Sequence, residues 1–461
     1  MDSRSSPTPT LVDMRVADGE RDDTLATPKS TRLQSVRPTE NGKSVPPGKT
    51  ETSGGDDIEV ERDGEVYDFP DGGRGWLVVA GCGHIMFATF GFINAWGVFQ
   101  AEYETMFYPE SSSTIAWIGS LQYCLTFLPS LVTGRLLDIG KWQIPFYIAA
   151  VILPVSMIIT AQVKEFWQAL LVQGILFGTA SGFLFGPALS VAGHWFQKKR
   201  AFAFGMVAAC SSIGGTVFPI LVRQCINKVG FPWALRICGF VLAYATLFAC
   251  LTMRTRLPPK RVAGGIFDIK AFKHGSYSFY VLGCFVVLLG LYTPLTYFET
   301  FGSVNGLGTY SSYLISIANA ASLIGRIVPA LFADKIGVLN FLIPGLIGSA
   351  VTTFIWPICT GKTSLTILVV FNGIFQGSFV SLYASGVAQL GTADDLGRRI
   401  GMLVCLLSPA LLVGTPISGA ILSTTSSYHD VSYYAGVSII VGAALLSVSR
   451  YCALSGFVGR I

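Results

Sequence analysis

Twelve apolar runs of membrane-spanning length constrain this chain more than any other feature. A helix needs about 20 mostly apolar residues to cross the hydrocarbon of a bilayer. Nine runs of roughly that length hold no charged residue or histidine: approximately 114–133, 143–161, 166–193, 201–222, 275–298, 336–359, 363–391, 400–427 and 431–449. Three more carry one ionisable residue each, roughly 75–101 with His84, 231–253 with Arg236 and 306–331 with Arg326. Strand periodicity is absent and the runs are twice the length of a barrel strand. Only helices then satisfy the backbone inside lipid. The predicted fold class is an all-α membrane protein, its twelve transmembrane helices arranged as two six-helix bundles.

Composition excludes several function classes. Only 13% of the 461 residues are charged, against about a quarter in soluble domains. A net charge of +5 is small for this length and argues against a nucleic-acid partner. Ten cysteines lie scattered with no C-x-x-C pair, which suits apolar packing better than disulfides or a metal site. There is no P-loop, no H-E-x-x-H and no G-x-S-x-G, so neither ATP-driven transport nor a catalytic set is expected, and no cofactor is implied.

Four segments are predicted. Residues 1–70, rich in Ser, Thr, Pro, Gly and charge, read as a disordered cytosolic tail. Residues 71–253 form a first six-helix bundle, 254–274 a cytosolic central loop and 275–461 a second bundle. No cleavable signal peptide opens the chain, so the first apolar run is expected to direct insertion. Lys and Arg set the orientation. With the N-terminus in the cytosol, Arg135, Lys141, Lys198, Lys199, Arg200, Lys335, Arg398 and Arg399 all fall on the cytosolic side. The opposite face keeps little more than Lys164, Arg223, Lys228 and Lys362. Both termini are therefore placed in the cytosol.

The two halves repeat. Asp138-Ile139-Gly140 recurs as Asp334 with Gly337, Ile144-Pro145 as Ile343-Pro344, Gly174-Ile175 as Gly373-Ile374, Gly205-Met206 as Gly401-Met402, and Pro219 as Pro416. All offsets lie between 196 and 199 by subtraction. Such symmetry marks duplicated transporter halves with a solute site between them at mid-membrane.

Gly134-Arg135-Leu136-Leu137-Asp138-Ile139-Gly140-Lys141 closes the second span. It is similar to the loop between the second and third helices of the major facilitator superfamily. An acid and flanking cations there can bond neighbouring helix ends, which makes Gly134, Arg135, Asp138, Gly140 and the copy at Asp334 gating candidates. An ordinary positive-inside loop is the alternative. Asp71-Gly72-Gly73-Arg74-Gly75-Trp76 leads into the first span, and Trp195-Phe196-Gln197-Lys198-Lys199-Arg200-Ala201-Phe202-Ala203-Phe204-Gly205 into the fifth. Together they resemble the two signature motifs of the monocarboxylate porter family of that superfamily, in its fungal branch. The resemblance implies facilitated or proton-linked movement (symport) of small organic acids, riboflavin or specialised metabolites. Structural anchoring is the stronger reading for the motifs themselves: the glycines free the backbone, Trp76 suits the interface, and the triple cation pins the fifth helix among headgroups.

The chain departs from the animal members of that family. They use a lysine in the first helix, and an aspartate one turn before an arginine in the eighth. Here those positions are Asn94, Ser322 and Arg326. The resemblance therefore keeps an anionic anchor and removes both partner charges, which weakens the case for proton coupling. Arg326 is the leading solute-binding candidate, because an intramembrane guanidinium usually faces a cavity or a partner. Snorkelling to the cytosolic interface is its alternative. Asn94, Asn319, Ser322, Asn372 and Gln376 complete the candidate solute set, and interhelical glue is the competing role. His84 and Glu299 are the remaining candidates for a proton relay, though His84 reads more readily as a bond between helices. The fourth helix carries Gly174, Gly178, Gly182 and Gly186 at four-residue spacing, a close-packing stripe.

The function expected is secondary transport of a small organic solute by alternating access: a monocarboxylate-like anion, a riboflavin-like compound or a specialised metabolite. Efflux of a fungal secondary metabolite is the alternative, with a non-transporting nutrient sensor behind it. The plasma membrane is the expected location and the vacuolar membrane the alternative.

Overall fold

The computed structural model describes residues 58–62, 65–257, 265–391, 396–454 and 459. Among them are twelve helices long and apolar enough to cross a membrane. In chain order they are α1 (Arg74–Met106), α2 (Thr114–Asp138), α3 (Gln143–Thr160), α4 (Phe166–His194), α5 (Arg200–Val229), α6 (Phe231–Thr252), α7 (Gly275–Val304), α8 (Gly308–Ile336), α9 (Val338–Ile358), α10 (Lys362–Gln389), α11 (Leu396–Thr425) and α12 (Tyr428–Leu454).

Each apolar run forms one helix because lipid offers no alternative partner to its backbone groups. The outer faces confirm the solvent they meet. On α3, Ile144, Ile148, Val151 and Val155 are exposed at helical spacing, while Phe146, Ala149, Ala150, Leu153 and Met157 are buried. An exposed apolar stripe on this scale marks contact with membrane.

The expected disorder of 1–70 lies outside the described residues as far as 57. Over its last stretch the backbone departs from that expectation. β1 (Ile58–Arg62) pairs antiparallel with β2 (Glu65–Phe69), Ile58 opposite Phe69 and Arg62 opposite Glu65. The two segments carry Ile58, Val60, Val66, Tyr67 and Phe69, residue types that favour strands. In the link between α6 and α7, residues 258–264 lie outside the described residues, so the expected loop is seen only at its two ends.

Two spans are interrupted at equivalent places. In α1, helix gives way to a wider turn at Phe87–Gly91 and breaks at Asn94 and Ala95 before resuming at Trp96. In α7, helix ends at Leu291, Tyr292 forms a turn, and Thr293–Val304 resumes. Asn94 and Tyr292 are 198 positions apart by subtraction. The causes are local. The Asn94 side chain donates to the Phe90 carbonyl at 3.1 Å, and Pro294 has no N–H for the carbonyl of Gly290. Broken helices at midplane are where transporters build solute sites.

Candidate functional site

The centre of the interface between the halves is aromatic. Phe90 of α1, Phe127 of α2 and Phe185 of α4 face Tyr292 of α7 and Phe379 and Tyr383 of α10 around one cavity. Phe127 and Phe185 stack at 4.9 Å, and Phe90 reaches across the interface to Tyr292 at 6.0 Å. The remaining space is about 10 Å³, too little for more than a single water. The interface is therefore closed around its centre.

Arg326 lies beside this chamber, 3% exposed, within Coulombic reach of Tyr292 and Tyr383. Its guanidinium crosses between halves. Nη1 donates to the Ala208 carbonyl at 2.6 Å and to Ser211 Oγ, both on α5. Its Nε is buried without a hydrogen-bond partner. Snorkelling is thereby excluded as the description of this side chain, and helix-to-helix bonding joins the anchor reading.

The other solute candidates divide. Asn94 and Asn319 come together at Gly215 of α5: a Cβ there would meet Asn319 Oδ1 at 2.7 Å and Asn94 Nδ2 at 3.0 Å. Asn94 also accepts a hydrogen bond from Tyr123 at 3.3 Å, and it lines a second cavity of about 20 Å³ shared with Arg223 and Glu299. Ser322 bonds Ser212 of α5 at 2.6 Å. Asn372 turns away from α5 and donates to Thr352 of α9 at 3.0 Å, inside its own half. Gln376 is buried one turn further along α10, four residues before Val380, which lines the aromatic chamber. Thus Asn94, Asn319, Ser322 and Arg326 share the α5–α8 seam, and Asn372 does not join them.

The gating candidates meet the opposite half. Asp138, at the end of α2, accepts hydrogen bonds from the backbone N–H of Gly397 (3.0 Å) and Arg398 (2.8 Å), at the start of α11. Asp334, near the end of α8, accepts from Ala201 (2.8 Å) and Phe202 (3.0 Å), at the start of α5. A helix N-terminus presents unpaired N–H groups and partial positive charge, so a carboxylate belongs there. Gly134 lies one turn before Asp138, its Cα against Gly397 and Gly401 so closely that a methyl group would overlap backbone. Arg135 is half-buried on the same turn. Gly140 (φ 75°) ends α2 in a conformation that favours glycine, as does Gly337 (φ 110°) after α8.

Sequence reasoning missed the partners of these motifs. Asp71 is buried, and its carboxylate accepts from the N–H of Gln197 (2.9 Å), Lys198 (3.2 Å) and Lys199 (3.0 Å). The two signature stretches are therefore one structure. In the link leading into the second half, Asp268 pairs with Arg398 of α11 at 3.0 Å. Asp71 and Asp268 are 197 positions apart by subtraction, so the repeat offset was the available signal.

Neither proton candidate sits in the aromatic chamber. His84 donates from Nδ1 to the Ala80 carbonyl (2.8 Å) on its own helix and packs on Phe248 at 4.2 Å and Tyr244 at 5.9 Å, both on α6. Glu299, near the end of α7, pairs with Arg223 of α5 at 3.2 Å and accepts from Ser312 at 2.8 Å. His84 is half-buried, whereas His194, at the end of α4, is buried.

Comparison with known proteins agrees with this architecture. A sequence model of the Major Facilitator Superfamily matches residues 77–361. The aspyridones efflux protein apdF of Emericella nidulans is 38% identical over 397 residues, 85% of this chain and 81% of that protein. The agnestins efflux protein AgnL12 of Paecilomyces divaricatus is 30% identical, covering 91% of this chain and 96% of its own length. Among solved structures, the human organic anion transporter MFSD10 (TETRAN) superposes with a TM-score of 0.61 at 15% identity, over 82% of this chain and 98% of that one. The E. coli fucose:proton symporter FucP gives 0.62 at 13% identity, over 81% and 98%. At these identities the solved structures speak for the fold alone.

Proposed function

Because the chain belongs to the major facilitator superfamily and is a secondary transporter of small organic solutes, we propose that its cargo is an aromatic, weakly acidic specialised metabolite moved outward by alternating access. The observation that carries this reading is the aromatic chamber shared by both halves, with a single guanidinium beside it. Ring faces bind planar apolar surface, and stacked or edge-on aromatic pairs add about 0.5–1.5 kcal/mol beyond burial. Arg326 supplies the one charge that an ionised enol, phenol or carboxylate needs. A lactate-sized anion leaves most of such a wall unused. Efflux is supported by the relatives whose names are efflux proteins.

Within the superfamily, Asp71–Trp76 and Trp195–Gly205 support membership of the fungal branch of the monocarboxylate porters. The joining of these stretches through Asp71 fits a shared structural purpose. The Lys/Arg asymmetry supports cytosolic termini, with the plasma membrane as the site of action. The division at 71–253 and 275–461 is supported by the equivalent breaks in α1 and α7.

The test is transport in a host stripped of its own exporters. Cells expressing the protein and loaded with a panel of aromatic weak acids are expected to lose them faster than control cells, and to lose lactate or acetate at the control rate. Arg326→Ala should reduce efflux of ionised cargo by about tenfold or more, the scale of one charge-assisted hydrogen bond, with normal arrival at the membrane. Arg326→Lys should recover only part, lacking the planar fork. Equal transport of lactate would overturn the cargo assignment; a fully active Arg326→Ala would leave Arg326 as a seam residue only.

A further inference from the structure

Apart from the aromatic chamber, a further cavity lies in the first half, where the approach to α1 meets the α4–α5 link. It is open to solvent, encloses about 710 Å³, and so has room for roughly twenty waters. Four cations from three separate stretches of chain line it: Arg74 at the first residue of α1, Lys198 and Lys199 before α5, and Arg256 just beyond α6. Asp71 also borders it, but its carboxylate is turned onto the amides of Gln197, Lys198 and Lys199. The rim is built rather than loose. Trp195 donates from Nε1 to the Arg254 carbonyl at 2.8 Å, and the Arg256 guanidinium lies 5.5 Å over the Trp195 ring. Gly73 leaves backbone bare, since a Cβ there would meet nothing within 4 Å.

We propose that this cavity binds the phosphorylated headgroup of an anionic lipid in the cytosolic leaflet. The chemistry is that of a phosphate monoester: planar guanidinium groups and lysines converge on one open space. The location selects a lipid over a free ion. Every lining cation sits at a span end, the depth at which headgroups lie, and basic clusters there attract anionic lipid. Leu77, three residues into α1, is 51% exposed, and Leu251, near the end of α6, is 68% exposed. Both offer apolar wall to acyl chains. A bound headgroup ties the approach to α1, the α4–α5 link and the exit of α6 around the start of α5. That start is where Ala201 and Phe202 hold Asp334 of the other half. Occupancy therefore favours the arrangement closed toward the cytosol.

The full chain, purified in detergent, is titrated with fluorescent dioctanoyl phosphatidylinositol 4-phosphate. Saturable binding is expected, resisting competition by dioctanoyl phosphatidylcholine and by millimolar-range inorganic phosphate. Each lost cation should weaken binding by about fivefold. Arg74→Gln/Lys198→Gln/Lys199→Gln should then lose about a hundredfold, while Lys270→Gln/Lys273→Gln in the link before α7 binds like the parent. Should the triple variant fail to fold, Arg256→Gln alone decides by the same fivefold criterion. Unchanged binding in these variants overturns the site. Displacement by inorganic phosphate at concentrations matching the lipid makes it a free-phosphate site and overturns the lipid assignment. Competition by phosphatidylcholine reduces it to detergent-like contact, which also overturns it. Only the choice of leaflet rests on the cytosolic placement of the termini, and a tag-accessibility assay in intact cells reads that separately.

Discussion

Asp138 and Asp334 each give both carboxylate oxygens to backbone N–H groups of the opposite half. A hydrogen bond to a charged group contributes about 1.5–3 kcal/mol, and both bonds at each site must break before the helix ends they join separate. Asparagine keeps one acceptor oxygen but points an NH₂ at an N–H, so Asp138→Asn or Asp334→Asn should raise the cytosol-open population by about tenfold or more. The check is the labelling rate of a Phe379→Cys cavity thiol in inside-out vesicles, measured against the same background without that cysteine. The double variant should label faster than either single one, since both sites bias one equilibrium. Unchanged labelling in all three would mean that these carboxylates cap helices without gating. Sequence made these two residues visible because an acid beside a turn glycine recurs at the repeat offset. It hid Asp71, whose amide partners lie 126 to 128 positions away, and it hid Arg223 as the partner of Glu299. An ion pair between distant helices leaves no spacing to read.

At the scale of helices, the glycine stripe of α4 packs directly on α2. Gly178 meets Gln122 and Leu125, Gly182 meets the Leu125 carbonyl and Pro129, and Gly186 meets Ser130 and Thr133. The stripe is graded along its length. A Cβ on Gly174 would touch Ile118 at an ordinary 3.4 Å, whereas on Gly182 it would come within 2.6 Å of the Pro129 ring and closer still to backbone. Neither neighbour can swing aside. Gly182→Ala should therefore destabilise the protein by about 1–3 kcal/mol. Gly174→Ala should be neutral or stabilising by up to about 1 kcal/mol through helix propensity. Thermal unfolding of the purified variants, with and without cargo, reads the difference; equal melting would show that α2 and α4 are not held at this separation. Hydropathy predicts where each helix runs because lipid dictates it. It does not predict the breaks at Asn94 and Tyr292, which depend on one side chain reaching back to a carbonyl and one proline. The β1–β2 pairing was missed for a related reason: its charges outweighed its strand-forming residues in a compositional reading.

For the whole molecule, the two ends of the interface are closed by unequal means. The end that carries Asp138 and Asp334 has two carboxylates on four backbone N–H groups, while the opposite end has the half-exposed Arg223–Glu299 pair. Exposed pairs contribute about 0–1 kcal/mol, so of these two sets the Arg223–Glu299 pair resists opening less. The same inventory bears on energy coupling. Asn94 and Ser322 carry no ionisable group at the positions where the resemblance would place charges. His84 is packed between its own helix and α6, away from the aromatic chamber. Glu299 remains, and it touches Arg223 and Ser312 and nothing at the centre. Losing that pair should ease opening at its end only by the modest amount such a pair contributes. Glu299→Gln is accordingly expected to change the efflux rate by less than about fivefold, and efflux of a cargo of constant charge to survive a protonophore. His84→Gln should likewise leave the efflux rate and its response to the protonophore unchanged. The opposite pattern would be a steep pH dependence, abolished by the protonophore and lost in Glu299→Gln. It would make Glu299 a proton carrier, and would require that opening and closing the Arg223 pair be the step that couples proton to cargo.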